Sequence, residues 1–248
     1  MLVWQAATRT MNPTVPQSFI DDEMEKDPAS AAAEYLAQFR TDIEAFLTIE
    51  ALRACVDAGV FERPYDRKHA YFAFTDPSGG SSDSFVLVIA HVDGGLTVVD
   101  CIRERRAPFS PEQVCIEFAE TLKSYRITTV TGDNYGGEWP KEQFRKRGIN
   151  YELSDKAKSK LYLDFLPLIN SKQVKLLDSD RMVRQFIGLE RKTSWGGRDS
   201  IDHAPGGHDD IANAVAGVCN LANRSGDLWS QLVSQAVTSD IKPLWPAN

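Results

Sequence analysis

The sequence has 248 residues, 42% of them hydrophobic, so it can bury a sizeable core and is long enough for one large domain or one domain with an extension. Its formal net charge of −7 argues against a protein that coats nucleic acid by bulk charge, although a local basic face remains compatible with it. The four cysteines are widely spaced and form no CxxC pair, which argues against a disulfide scaffold and against a structural zinc site.

The first part of the chain shows helical periodicity and no secretory signal. Residues 1–13 carry one charge, at Arg9, and their apolar run is too short for a signal peptide. No later segment approaches membrane-spanning length. Apolar residues recur at helical spacing from 29 to 59. We therefore expect a soluble intracellular chain, without a membrane partner, that begins with a helical arm.

Three apolar segments then predict consecutive antiparallel strands. Residues 70–74 and 85–92 are almost entirely apolar or aromatic, and 96–102 follows a turn signal at 93–95. Residues 110–112, Ser-Pro-Glu, are typical of a helix start, so an amphipathic helix is expected to cross the sheet next.

Further along the chain, strands alternate with helices. The predicted strands are 127–130, 149–153 and 174–177, and the predicted helices are 138–147, 155–169, 181–189 and 211–222. Glycines at 196 and 197 indicate a hairpin or loop before the last helix. This element order predicts an α/β fold with a mixed sheet and helices on both faces.

Aspartates end two of the predicted strands and open the last predicted helix. Asp76 ends the first strand, Asp133 closes the strand at 127–130, and Asp209 and Asp210 begin the helix. Strands fix their last side chains at the sheet edge, so these carboxylates can meet without an ordered loop. Two hard cations held by carboxylates can activate water and stabilise the leaving oxygen of a phosphodiester. The pattern predicts a nuclease site for two ions, Mg²⁺ or Mn²⁺.

The aspartates are not equivalent. Adjacent helical residues point about 100° apart, so Asp209 and Asp210 cannot face one ion equally well. We expect Asp76, Asp133 and Asp210 to be catalytic metal ligands, with Asp209 or Asp83 on the second ion. Each acid alone also has a structural explanation, as part of a turn or as an N-cap. We favour the metal site because the acids recur at element ends that one mixed sheet would bring together.

Several side chains near these acids are candidate contacts for DNA. Lys156 and Lys158 open a predicted helix, and Arg198 follows the glycines that would permit a nucleic-acid strand to approach the backbone. Solvated surface charge is the simpler explanation for each one alone. His208 is a candidate supporting residue, as a metal ligand, a proton donor to the leaving oxygen or a cap. No GxxxxGK[ST] motif is present, so this chain alone should not hydrolyse ATP.

Long stretches of the sequence resemble the C-terminal half of large terminase subunits from tailed bacteriophages. The similar segments are MNPTVPQSFIDDEMEKDPASAAAEYLAQFRTDIEAF, FTDPSGGSSDSF, VTGDNYGGEWPKEQFRKRGI, LYLDFLPLINSKQVKLLD and HAPGGHDDIANAVAG. The resemblance implies a ribonuclease H-like domain, an α/β fold whose mixed sheet is flanked by helices on both faces, with an N-terminal helical arm. The acids of that family's metal site fall on Asp76, Asp133 and the Asp209–Asp210 pair.

The resemblance also implies a function, partners and boundaries. It implies a metal-dependent endonuclease that cuts concatemeric double-stranded DNA during genome packaging, in the host-cell cytoplasm and outside the mature virion. The implied partners are the terminase ATPase domain, the small terminase subunit and the portal. Residues 1–65 would form an arm or linker with a remnant of the end of the ATPase domain, 66–225 the nuclease domain, and 226–248 a C-terminal tail.

Two other functions are compatible with the sequence. A resolvase or transposase of the same fold would share the acids but prefer branched or end-specific DNA. A non-catalytic docking module would bind the portal or the small subunit through the arm at 29–59. Metal-dependent cleavage distinguishes the docking module from both kinds of nuclease.

Overall fold

The computed structural model describes residues 5–38, 43–133, 138–193 and 199–239. Its helices are α1 (Thr8–Met11), α2 (Gln17–Lys26), α3 (Pro28–Tyr35), α4 (Ile49–Arg53), α5 (Pro111–Ser124), α6 (Glu138–Arg145), α7 (Lys158–Asn170), α8 (Asp180–Ile187) and α9 (Asp210–Ser239). Its strands are β1 (Ile43–Ala45), β2 (Tyr71–Asp76), β3 (Phe85–Asp93), β4 (Leu96–Arg105), β5 (Thr129–Gly132), β6 (Asn150–Leu153), β7 (Val174–Lys175), β8 (Leu189–Thr193) and β9 (Asp199–His203). Among these residues, no helix combines the length and the apolar character needed to cross a membrane.

A six-stranded mixed sheet in the order β6-β5-β2-β3-β4-β7 forms the centre of the fold. β2, β3 and β4 are an antiparallel meander, whereas β5 pairs in parallel with β2 and β7 with β4. In the β2–β5 pair, Phe74 lies opposite Thr131 and Thr75 opposite Gly132. Because the two strands run in the same direction, the residues that follow them lie at one edge of the sheet.

Helices cover both faces of this sheet, as the sequence predicts. Val86 and Val88 of β3 are buried in a core that includes residues of α7, α8 and α9. Phe85 and Leu87, which alternate with them, are buried in a second core with residues of α5 and α6. Alternation along β3 therefore supplies side chains to two separate hydrophobic layers.

Helix α9 packs directly on β2. Gly217 allows this close approach, because a Cβ at this position would lie 2.5 Å from the ring of Phe74. Ala212, Ala214 and Ala216 are fully buried in the core that surrounds α9. Small residues thus bring the beginning of α9 beside the end of β2.

A second, three-stranded antiparallel sheet has the order β1-β8-β9. Strands β8 and β9 pair antiparallel where the sequence indicates a hairpin or loop before the last helix, and residues 194–198 between them lie outside the described residues. Arg191 of β8 is buried and forms ion pairs with Asp27, before α3, and with Asp199 of β9. This arginine connects the N-terminal arm to the hairpin.

Some predicted element boundaries are wrong. The periodicity at 29–59 predicts one helical arm, but this stretch contains α3, β1 and α4. Strand β1 forms because its backbone pairs with β8, a long-range contact that local periodicity does not encode. The helix predicted to reach 189 ends at Ile187, since Leu189 begins β8. Helix α9 continues to Ser239, beyond the predicted end at 222 and across the start of the expected tail at 226.

Candidate metal and active site

All five acids named as metal ligands line one open cavity of about 290 Å³ at the edge of the main sheet. Asp76 is the last residue of β2, Asp133 directly follows β5, and Asp210 is the first residue of α9. Asp209 precedes α9, and Asp83 lies in the loop before β3. The parallel pairing of β2 with β5 and the packing of α9 on β2 therefore bring the predicted acids together.

The Asp76 carboxylate is held by a neighbouring amide. Asn213 Nδ2 donates a hydrogen bond to Asp76 Oδ2 at 3.0 Å, and Asn213 is almost completely buried. Although the cavity leaves Asp76 partly exposed, desolvation by the surrounding protein raises its pKa well above the usual value. The Asn213 hydrogen bond opposes this shift, and the charges of Asp210 and Asp133 add to it. The negative form of Asp76 is therefore costly in the metal-free protein.

Asp210 faces the loop that precedes β3. Burial raises the pKa of Asp210, a hydrogen bond from the Ser84 backbone N–H opposes the shift, and Asp83 adds to it. Ligand atoms of Asp83, His208 and Asp210 lie within 4.8 Å of one another. Asp210 Oδ2 is buried without a hydrogen-bond partner among the described residues. This side of the cavity therefore offers three converging ligand groups.

Asp209 faces the opposite side of the cavity, towards α7 and the β8–β9 hairpin. Tyr162 donates a hydrogen bond to Asp209 Oδ2 at 2.8 Å, and Lys158 Nζ lies 3.0 Å from the same oxygen. Ligand atoms of Asp202 and His203, at the end of β9, lie within 4.8 Å of one another and of Asp209. Asp209 and Asp210 therefore have different neighbours in the cavity, as is usual for adjacent residues at a helix start.

The position of Asp133 depends on the glycine before it. Tyr151 donates a hydrogen bond from its hydroxyl to the Asp133 backbone oxygen at 2.8 Å. A Cβ on Gly132 would lie 2.2 Å from that hydroxyl, so a larger residue would displace Tyr151. The tyrosine therefore fixes the chain where β5 ends and Asp133 begins.

The predicted DNA contacts occupy different places. Lys158 lines the cavity, and its hydrogen bonds to Asp202 and Asp209 raise its pKa although burial acts in the opposite direction. Lys156 instead pairs with Asp164 at 2.6 Å and with Asn220 at 2.9 Å. His208 lines the cavity, and its Nδ1 lies 3.6 Å from Asp83 Oδ1. Arg198 and the glycines at 196 and 197 lie outside the described residues.

Three residues of the site were not predicted from the sequence. Asn213 lies one turn after Asp209 and is the single polar residue in the apolar stretch 211–219, and that contrast could have identified it. Tyr162 is four residues after Lys158 and so lies on the same face of α7. Ser84 contacts Asp210 through its backbone, which no sequence pattern reveals.

The donor set fits a hard divalent cation. Carboxylate oxygens predominate, and Mg²⁺ and Mn²⁺ prefer oxygen ligands. Asp210 Oδ2 and Asn213 Oδ1 are buried acceptors without a hydrogen-bond partner in the described part of the chain. Because uncompensated buried carboxylates are costly, this arrangement suits an added positive charge.

Several solved structures match the fold, whereas no protein-family model and no curated protein sequence matches the chain. The magnesium-bound large terminase nuclease from thermophilic phage G20c has a TM-score of 0.56 at 18% identity, over 73% of this chain and 98% of that one. The large terminase from another thermophilic bacteriophage has a TM-score of 0.66 at 11% identity, over 85% of this chain and 52% of that one. The HK97 bacteriophage large terminase has a TM-score of 0.58 at 12% identity, over 86% and 53%.

At these identities the similarity shows the fold. The chain has a ribonuclease H-like fold, in which a mixed sheet carries an acidic cavity at one edge. More particularly, this is the fold of the nuclease domain of phage large terminases. The chain spans nearly the whole G20c nuclease and about half the length of the other two large terminases.

Proposed function

We propose that the chain is a divalent-metal-dependent endodeoxyribonuclease that cuts concatemeric phage DNA during genome packaging. The observation that carries this proposal is the convergence of Asp76, Asp133, Asp209 and Asp210 on one open cavity. The fold shared with a magnesium-bound terminase nuclease supports it. Cleavage would take place in the host-cell cytoplasm, and the chain would not enter the mature virion.

The acids would divide between two ions, Mg²⁺ or Mn²⁺. Asp76, Asp133 and Asp210 are proposed to hold the first, and Asp209 or Asp83 the second. Two such cations, when bound, activate water and stabilise the leaving oxygen of a phosphodiester. Asn213 restrains Asp76 through its 3.0 Å hydrogen bond, so that one carboxylate orientation is favoured.

Basic and histidine side chains would orient the DNA backbone. Lys158 Nζ is at the cavity, 2.7 Å from Asp202 and 3.0 Å from Asp209. A DNA phosphate would replace one of these carboxylates as the ion-pair partner of Lys158. Lys156 and Arg198 remain proposed DNA contacts farther along the strand. His208, whose Nδ1 is 3.6 Å from Asp83, is proposed to support the metal ligands on its side of the cavity.

The packaging role requires other proteins. The matched large terminases from HK97 and from the second thermophilic phage are about twice as long as the region that matches this chain. We propose that an ATPase domain of the terminase moves the DNA, while the small terminase subunit and the portal position the complex. Cleavage, by contrast, is proposed for the residues described above.

Cleavage of supercoiled plasmid by the purified chain tests the proposal. We expect nicked and then linear DNA in Mg²⁺ or Mn²⁺, and no conversion in EDTA. Without a bound cation, the negative charges of the carboxylates would repel the DNA phosphate. Absence of conversion in both metals would overturn the proposed activity for this chain. Metal-independent binding to the portal or the small subunit, without cleavage, would instead assign a docking role.

A comparison of substrates defines the kind of nuclease. Linear duplex, branched DNA and an RNA–DNA hybrid would be cut in parallel under the same metal conditions. We expect efficient cleavage of linear duplex with little sequence preference. Strong preference for branched DNA would instead assign a resolvase-like activity to the same acids.

A further inference from the structure

The N-terminus of α9 is capped by a side chain from another helix. Gln185 of α8 is buried, and its Oε1 accepts hydrogen bonds from the backbone N–H groups of Ile211 at 2.8 Å and Ala212 at 3.1 Å. Ile211 and Ala212 are the second and third residues of α9. An N-cap side chain normally satisfies these groups, so Gln185 performs that role from outside the helix.

Asp209 occupies the N-cap position, where aspartate is a preferred residue. Its backbone oxygen accepts a hydrogen bond from Asn213 N at 2.8 Å, as expected there. Its carboxylate, however, accepts a hydrogen bond from Tyr162, pairs with Lys158 and lines the cavity. Gln185 thus satisfies the helix end while Asp209 faces the acids.

We infer that Gln185 is a positioning residue for Asp209: by satisfying the first N–H groups of α9, it leaves the Asp209 carboxylate free to face the cavity. The consequence for metal binding rests on the proposed function, whereas the effect on the Asp209 side chain does not. Helix α8 therefore takes part in building the site although neither Gln185 nor any other residue of α8 lines the cavity.

The orientation of the Gln185 amide supports this role. Two N–H donors face Oε1, and a reversed amide would place its NH₂ against both of them. Nε2 is buried and has no hydrogen-bond partner within the described residues. A buried donor without a partner is costly, so the amide NH₂ does not account for a glutamine at this position. The two hydrogen bonds accepted by Oε1 do account for it.

A second residue of α8 supports the other acid of the pair. Arg181, one turn before Gln185, donates a hydrogen bond to Glu104 Oε1 at 2.7 Å. Ser84 Oγ donates to the same oxygen at 2.7 Å, and the Ser84 backbone N–H donates to Asp210. Two residues one turn apart on α8 are therefore linked to the pair of acids. Gln185 is linked to Asp209 through the N-terminus of α9, and Arg181 is linked to Asp210 through Glu104 and Ser84.

The crystal structure of metal-free Gln185→Met tests the inference directly. Methionine has a similar length but cannot replace the amide oxygen as an acceptor for two N–H groups, so we expect the Asp209 carboxylate to turn towards Ile211 and Ala212 and leave Tyr162. Gln143→Met is the matched control, because Gln143 of α6 is also 7% exposed and lies on the other face of the sheet. An Asp209 that keeps its contacts in Gln185→Met would overturn the inference.

Mn²⁺ binding, measured by isothermal titration calorimetry, provides an independent test. Gln185→Met should weaken binding about tenfold, and this loss should disappear when Asp209→Asn is already present. Gln185→Glu keeps an acceptor oxygen and should not weaken binding. If Gln185→Met reduces Mn²⁺ affinity equally in the wild-type chain and in Asp209→Asn, Gln185 does not act through Asp209.

Failure of this inference can be distinguished from failure of the nuclease proposal. A wild-type chain that binds no Mn²⁺ and cuts no DNA would overturn the nuclease proposal alone. The position of Asp209 in the metal-free variants would still decide the role of Gln185. If Gln185→Met does not fold, Gln185→Glu must retain Asp209 on Tyr162, and a turned Asp209 there would overturn the inference.

Discussion

At the scale of single residues, the Asn213–Asp76 hydrogen bond has the most direct consequence for the site. Asn213→Ala removes the donor that opposes the raised pKa of Asp76, so the carboxyl should hold its proton to a still higher pH. We expect cleavage at neutral pH to fall by about 10–100-fold and to recover in part at higher pH. The measurement is the pH profile of plasmid cleavage for wild type and variant.

Asn220→Ala is the matched control for this prediction. Asn220 lies two turns later on α9 and donates to the backbone oxygens of Leu161 and Ala216. Its loss should lower stability without changing the pH profile. Coincident profiles for wild type and Asn213→Ala would contradict a role of Asn213 in holding the charge of Asp76.

The raised pKa of Asp76 also predicts how the stability of the metal-free protein varies with pH. Between the usual Asp pKa, about 3.9, and the higher folded-state pKa, the folded chain binds more protons than the unfolded chain. The free energy of unfolding in EDTA should therefore decrease as pH rises through this window. Asp76→Asn should reduce the decrease, as measured by urea unfolding at several pH values. An equal decrease in wild type and Asp76→Asn would exclude Asp76 as its source.

At this scale the sequence predicts the acids better than their supporting residues. The aspartates are recognisable because each lies at or next to the end of a strand, at or next to the start of a helix, or in an adjacent loop. The importance of Asn213 arises from a contact with a residue 137 positions earlier, and that of Gln185 from a contact 26 positions later. Such contacts depend on the packing of α9 against β2 and α8, which no local pattern specifies.

At the scale of secondary-structure elements, the close contact between α9 and β2 is the feature most sensitive to volume. Gly217→Ala should stabilise a helix by about 1 kcal/mol from propensity alone. The added Cβ would, however, meet the Phe74 ring at 2.5–2.6 Å, which is closer than real Cβ contacts come, so we expect an overpacking cost of about 2–3 kcal/mol, the upper part of the usual range. We expect a net loss of roughly 1–2 kcal/mol in urea unfolding, with reduced cleavage because the start of α9 moves relative to Asp76.

Gly188→Ala provides the comparison for Gly217→Ala. Gly188 has a negative φ, and a Cβ there would come no closer than 3.3 Å to a neighbouring atom, the backbone oxygen of Arg184. The free energy of unfolding of Gly188→Ala should therefore differ little from that of wild type. A Gly217→Ala variant as stable as wild type would show that α9 can move away from β2 without cost.

The elements differ in how well the sequence predicts them. Strands β2, β3 and β4 have continuous apolar runs bounded by turn residues, and their prediction is confirmed. Strand β1 has three residues and exists only through its pairing with β8, so helical periodicity at 29–59 misassigns it. Prediction from local sequence therefore succeeds for strands that contain a continuous apolar run. It fails for a short strand whose hydrogen bonds come from a strand far away in the sequence.

At the scale of the whole molecule, the net charge of −7 should weaken the electrostatic attraction between the chain and DNA phosphates. With about two phosphate contacts, cleavage limited by binding should fall about tenfold between roughly 50 and 200 mM salt. The measurement is the cleavage rate at low DNA concentration and fixed Mg²⁺ while KCl is increased. A rate that is independent of salt would argue that contacts with phosphates do not limit binding.

The most direct test of the central claim, that the acidic cavity supports metal-dependent cleavage, is the plasmid cleavage rate of Asp76→Asn in saturating Mn²⁺. Asp93→Asn is the matched control, since Asp93 is an exposed aspartate that ends the neighbouring strand β3. We predict at least about a hundredfold loss for Asp76→Asn and a wild-type rate for Asp93→Asn. Full activity in Asp76→Asn, or an equal loss in both variants, would contradict the account.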